Sequence, residues 1–173
     1  MNKYKLTRFI DKYHLGGNVN AVVINSKGDS LTTRFITGDK ALLGELSMDN
    51  WTFEDAELGV YDTEQLSRLL GVLDDDVTLN LTSSGDKAIS VEISDALSKV
   101  NFMLSDKSVI NTPPALKQIP EFQIEIKVDS NFIQRFISGK SALPDTDTFT
   151  VISDDDGVKL VIGYSSINTN RVT

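Results

Sequence analysis

The chain predicts an α+β fold built by using one supersecondary unit three times, a helix followed by an antiparallel meander. Three observations carry this. An apolar stripe at helical spacing recurs as Leu6, Phe9, Ile10 and Tyr13, as Leu66, Leu69, Leu70 and Leu73, and as Ile133, Phe136 and Ile137. Each stripe holds an arginine two residues after its first member, at Arg8, Arg68 and Arg135. After each stripe come alternating apolar strands folded at a glycine, Gly28, Gly85 and Gly157.

The first helix is expected from about Lys3 to His14, closed by Gly16-Gly17, because glycine reaches the left-handed conformation at little cost. Strands are expected at 18–25 and 31–38, joined across Ser26-Lys27-Gly28-Asp29, then at 40–48. A strand over 51–61 leads to the second helix, for which Asp62 or Thr63 is a competent N-cap, with Glu64 and Gln65 in its first turn. Strands at 77–82, 87–94 and 97–104 complete the second copy. The third copy is expected as strand 122–128, helix 130–141 and strands 148–153 and 158–165, with a last strand near 167–172. Trp51 is expected to anchor the seam between the first two copies.

Between Ser105 and Pro120 the pattern stops, and three of the four prolines fall there, so this stretch reads as an extended linker. The chain therefore divides into a two-unit domain at 1–106, a linker at 107–120 and one further unit at 121–173. If two units close one domain, the second domain is half present. That predicts a fragment or a naturally shortened version of a longer four-unit design, or a third copy completed by another subunit.

The 173 residues contain no cysteine, which removes disulfide frameworks, thiolate metal sites and cysteine nucleophiles. The apolar runs are too short to span a bilayer, and no signal-peptide core follows Met1-Asn2-Lys3-Tyr4-Lys5, so a cytoplasmic protein without membrane contact is expected. Asp154-Asp155-Asp156-Gly157 and Asp74-Asp75-Asp76 lack calcium-loop spacing and sit where turns are needed, so they read as turns and no metal is expected. His14 is the single histidine, at the end of a helix, and reads as a surface or capping residue. With no phosphate loop and no nucleophile-base pair, no catalytic residue, cofactor or enzymatic activity is expected.

The net charge of −8 argues against a protein that grips nucleic acid over its whole surface. Distribution matters more than the sum. Each helical residue advances about 100°, so Arg8 projects opposite the centre of its stripe, with Lys5 and Lys12 beside it. Arg68 and Arg135 occupy the same angular position. The acids Glu54, Asp55, Glu57, Asp74, Asp75, Asp76, Asp154, Asp155 and Asp156 fall instead in turns and strands. Positive helix faces on an acidic protein suit helices that line the path of a polyanion.

Five stretches carry a resemblance to a known family: Val60-Tyr61-Asp62; Leu69-Leu70-Gly71-Val72-Leu73-Asp74-Asp75-Asp76; Val109-Ile110-Asn111-Thr112-Pro113-Pro114; Val128-Asp129-Ser130-Asn131-Phe132; and Asp156-Gly157-Val158-Lys159-Leu160-Val161-Ile162. In order and spacing the chain resembles a DNA polymerase sliding clamp of the T-even bacteriophage type, related in fold to the eukaryotic proliferating cell nuclear antigen. The resemblance implies repeated βαβββ units with helices on one face of antiparallel sheets. It implies a processivity factor that encircles duplex DNA, tethers the polymerase, is loaded by an ATP-driven clamp loader, forms a homo-oligomeric ring of three and serves late transcription. On that resemblance Lys5, Arg8, Lys12, Arg68, Arg135 and Lys140 face DNA. Val109, Ile110, Leu116 and Ile119 border a groove for a partner peptide, or pack down on the sheet. A phage structural or assembly protein using the repeats for protein contacts alone is the alternative.

Overall fold

The computed structural model describes residues 2–113, 115, 121–122, 126–155, 157–167 and 169–173. The chain separates into two compact units, Met1–Leu116 and Lys117–Thr173.

In the first unit, α1 (Lys3–His14) is capped by Asn2, whose side chain accepts from the Tyr4 amide at 2.8 Å. The stripe Leu6, Phe9, Ile10 and Tyr13 is buried as a set. The helix ends at His14 as expected, with Leu15 already in the left-handed region at φ 50° ahead of Gly16 at φ 65°. Two strands and a third then form an antiparallel meander: β1 (Val22–Lys27), β2 (Ser30–Ile36) and β3 (Leu43–Asp49). Along β2 burial alternates, with Leu31, Thr33 and Phe35 inward.

The second copy runs β4 (Ala56–Val60), α2 (Thr63–Leu70), β5 (Thr78–Ser84), β6 (Lys87–Ser94) and β7 (Lys99–Met103). Asp62 is the N-cap of α2, accepting from the Gln65 amide at 2.8 Å. Gly28 and Gly85 each occupy the first central position of a two-residue hairpin turn with φ near 60°. Only glycine holds that conformation without strain, which is why the meanders fold there. The third hairpin differs: Gly157 pairs with Asp154 at the strand ends and is not at the turn centre.

The two copies exchange their lead-in segments. β4 precedes α2 but pairs antiparallel with β1, giving a sheet of order β3-β2-β1-β4. Reciprocally, Asn2 precedes α1 but bridges to Asp76, just ahead of β5 in the sheet β5-β6-β7, and the Lys3 amide donates to Asp75 O at 2.7 Å. α1 packs on α2, and one core joins Leu6, Phe9, Ile10 and Tyr13 with Leu66, Leu70, Val91, Ile93 and Phe102. Trp51 is buried in that core, where a small cavity is lined by Trp51, by Ile24, Leu31 and Leu58 of one sheet, and by Leu79, Val91 and Ile93 of the other. It seals the seam by leaving the ladder. The single strand expected over 51–61 is for that reason only the five residues of β4.

The second unit contains α3 (Ser130–Ala142), capped by Asp129 through the Phe132 amide at 2.8 Å, and the hairpin β8 (Phe149–Asp154) and β9 (Gly157–Ile162). Phe136 meets Phe149 edge to face at 5.3 Å between centroids. Gly139 lies against Ile162 and Val172. The strand expected over 122–128 forms no ladder among its described residues, and Gln123, Ile124 and Glu125 lie outside them. Among the described residues the last expected strand is reduced to one bridge, in which Ile162 and Val172 exchange a pair of backbone bonds.

Candidate nucleic-acid interface

Burying the α1 stripe turns the opposite face of the helix outward, and Lys5, Arg8 and Lys12 are all exposed there. Arg8 and Lys12 have no hydrogen-bond or ion-pair partner among the described residues. Lys5 is tied at its tip, with Nζ donating to Asn50 O at 3.2 Å. Lys3, on the same helix, donates through Nζ to Leu73 O and serves the junction with the second copy. An exposed cation without a partner keeps its full field for a passing anion, whereas one already bonded has lost part of it.

Arg68 is exposed at the equivalent position on α2, but it is paired with Glu64 at 3.4 Å across one helical turn. The expectation of a net positive face on every helix fails here, because Glu64 offsets Arg68. The signal was present in the sequence as an i,i+4 pair with the acid N-terminal to the base. On α3, Arg135 is exposed with no partner among the described residues, and Lys140 is half-buried with Nζ donating to Pro144 O at 2.7 Å.

The start of the linker is held firmly. Asp106 caps a 3-10 turn at Lys107–Val109 and pairs with Lys87 at 2.8 Å, while Lys107 pairs with Glu57. The Lys87 ammonium, followed by the Ser108 amide, holds the Asp106 carboxyl well below the ordinary carboxylate range, and Asp106 in turn raises Lys87. Val109 is exposed on this turn, whereas Ile110 is buried against Gly59. Leu116 and Ile119 lie outside the described residues. Beside the turn opens a crevice of ≈ 680 Å³ with Leu81, Ile89 and Leu104 in its wall and Glu54, Asp55 and Asp86 around it.

Asp74, Asp75 and Asp76 serve the chain reversal through their backbone: the Asp74 amide donates to Asp95 Oδ2 at 2.6 Å, and Asp75 O accepts from Lys3. Among the described residues no three His, Cys, Asp or Glu side chains converge as metal ligands. His14 is half-buried, with a buried Nε2 that has no partner among the described residues. No helix among the described residues is long and apolar enough to cross a membrane.

The architecture has solved counterparts. A DNA polymerase III subunit beta sliding clamp from Bartonella birtlesii matches with a TM-score of 0.58 over 94% of this chain. The fold is that of a sliding clamp. The two chains are 13% identical, and the match covers 42% of the Bartonella protein. A DNA polymerase III subunit beta from Pseudomonas aeruginosa matches with a TM-score of 0.51 and 11% identity, over 80% of this chain and 37% of that one. The chain thus spans under half the length of either sliding-clamp relative. No protein-family model and no curated protein matches the sequence.

Proposed function

We propose that this chain is a DNA polymerase processivity factor, a shortened sliding clamp of the T-even phage type, working in the host cytoplasm. The observation that carries the proposal is the pair Arg8 and Arg135: equivalent positions of a repeated helix, both exposed and without a partner among the described residues, in a protein with a sliding-clamp fold and a net charge of −8. A sliding protein needs weak, sequence-independent attraction to phosphates, which a few cations per helix supply and salt screens. Deep base contacts would stall it. Retention then comes from enclosure, not affinity.

In this reading Lys5, Arg8, Lys12, Arg135 and Lys140 face duplex DNA, with Arg68 contributing less because of Glu64. The polymerase and the clamp loader are the protein partners, the ring of three is the assembly, and late transcription is a second client. Val109 and the crevice beside it form the docking region for a partner peptide, for which Ile110 is the buried anchor, while Leu116 and Ile119 lie outside the described residues. The protein acts as a scaffold without a catalytic residue or cofactor.

Fluorescence anisotropy of a labelled random-sequence duplex tests the reading. Association is expected to be weak, independent of sequence and lost as salt rises, and Arg8→Gln with Lys12→Gln is expected to lower the slope of log K against log salt by about 1–2. An unchanged slope in the double variant would remove DNA from the proposal.

A further inference from the structure

The crevice beside the linker start lies wholly within the unit Met1–Leu116, and its wall begins at an irregularity of the sheet. β5 and β6 keep one register from Thr78 opposite Ser94 to Thr82 opposite Ser90, but Ser83 then stands opposite Ala88. Ile89 is therefore an extra residue with no counterpart on β5. A bulge of this kind bends its strand and re-aims a side chain. Ile89 is 36% exposed, whereas Val91 and Ile93 further along β6 are 5% and 1% exposed. It stands with the half-buried Leu81 and Leu104 in a crevice of ≈ 680 Å³, inside the range of about 300–1,000 Å³ common for ligand sites. The bulge thus leaves apolar area for a partner to cover.

Five carboxylates and two lysines surround that wall. Both lysines are already paired, Lys87 with Asp106 at 2.8 Å and Lys107 with Glu57. Asp55 accepts from the Gly28 amide at 2.7 Å. Glu54 and Asp86 are exposed and have no hydrogen-bond or ion-pair partner among the described residues. An incoming ligand therefore meets carboxylates for which the crevice supplies no cation. Free carboxylates alone make an ordinary solvated rim, but beside an apolar wall they discriminate. An anionic peptide is repelled and a neutral one gains the wall only, whereas a cationic one gains both.

We infer that the crevice takes a short segment of a partner protein in which aliphatic residues neighbour lysine or arginine. The aliphatic side chains cover Ile89, Leu81 and Leu104, and the cations answer Glu54 and Asp86. The inference rests on the crevice being a docking region, and adds to that reading the chemistry of what docks. The preference for a cation comes from the two internal ion pairs: Lys87 and Lys107 cancel Asp106 and Glu57, so the charge left over is acidic. Nothing in it depends on DNA.

Fluorescence anisotropy of the 173-residue chain with three labelled hexapeptides tests this. The probes are Ser-Lys-Leu-Leu-Lys-Ser and the same peptide with both lysines replaced by glutamine or by glutamate. The lysine peptide is expected to bind about tenfold or more tightly than the glutamate peptide, with the gap closing as salt rises. Glu54→Gln with Asp86→Asn should weaken the lysine peptide about 3–10-fold and leave the glutamine peptide within about twofold. Both positions are exposed, so the variant keeps its fold. Ile89→Ser should weaken both peptides, and Leu97→Ser, at an 89% exposed position in the turn after β6, should weaken neither. Equal binding of all three peptides, or a lysine peptide indifferent to the double substitution, would overturn the charge selection while leaving the docking region in place. Binding of none of them, as when the chain's own sequence or a second copy fills the crevice, would remove the docking region and this inference together.

Discussion

The Tyr13 hydroxyl and the Thr63 hydroxyl meet 3.1 Å apart in the buried space where α1 comes against the start of α2. Thr63 Oγ1 also donates to Asn20 O at 2.7 Å, so Tyr13 Oη is the donor to Thr63. The pair ties the end of one repeat to the beginning of the next. Replacing Tyr13 by Phe is expected to cost about 0.5–1.5 kcal/mol in urea denaturation, since Thr63 keeps its bond to Asn20. Burial pushes the Tyr13 phenol above its ordinary value of 10.0. Its folded-state value exceeds the unfolded one, so the associated stability is present below pH 10 and declines as pH rises above it. Tyr13→Phe should therefore flatten the alkaline limb of the stability curve; an equally steep limb in the variant would assign it elsewhere.

Gly59 and Ser105 fix where the linker departs. The Ser105 amide donates to Gly59 O at 2.9 Å, and a Cβ on Gly59 would collide with the Ser105 carbonyl oxygen and press on Ile110. Backbone cannot swing aside as a side chain can. Gly59→Ala is expected to destabilise the first unit by about 3 kcal/mol, read as a lowered denaturation midpoint with an unchanged slope. A change within a few tenths of a kcal/mol would show that the linker start detaches freely.

Asp95 gathers three amides, from Asp74, Leu97 and Ser98 at 2.6, 2.8 and 2.5 Å. These bonds, that from Asp74 first, hold its carboxyl below the ordinary value of 3.8. With the folded value depressed, the stability it contributes is complete above the unfolded value and fades as pH falls below 3.8. Asp95→Asn should be less stable than the wild type at neutral pH, and the two should converge in acid. Parallel curves down to pH 2 would contradict this.

Glu64 is expected to act as a brake on DNA binding. Glu64→Gln frees Arg68 and should strengthen duplex association and steepen its salt dependence by up to about one unit of slope. Arg68→Gln alone should have a smaller effect than Arg8→Gln. The anisotropy assay described above decides both, and a Glu64→Gln variant that binds no better than the wild type would show Arg68 lies off the path of the duplex.

Much of this was legible in the chain. Helices at Lys3–His14 and Ser130–Ala142, the cap at Asp62 and the hairpins at Gly28 and Gly85 follow from spacing and from conformations that few residues tolerate. The exposed positions of Arg8, Arg68 and Arg135 follow from the same periodicity. Strand limits were less legible, because alternation cannot say where a ladder partner ends: Trp51 reads as part of a strand and is buried outside one.

By itself, then, the sequence determined the repeat, its element types and the outward direction of its arginines, all properties of residues within one helical turn or one hairpin. Only the tertiary structure decided which copy receives which lead-in strand, and that Ile133 and Ile137 remain exposed where Leu6, Ile10, Leu66 and Leu70 do not. The physical reason is that local pattern states what a face can bury, while burial itself is a property of two surfaces, and the second surface is far away in the chain or on another one.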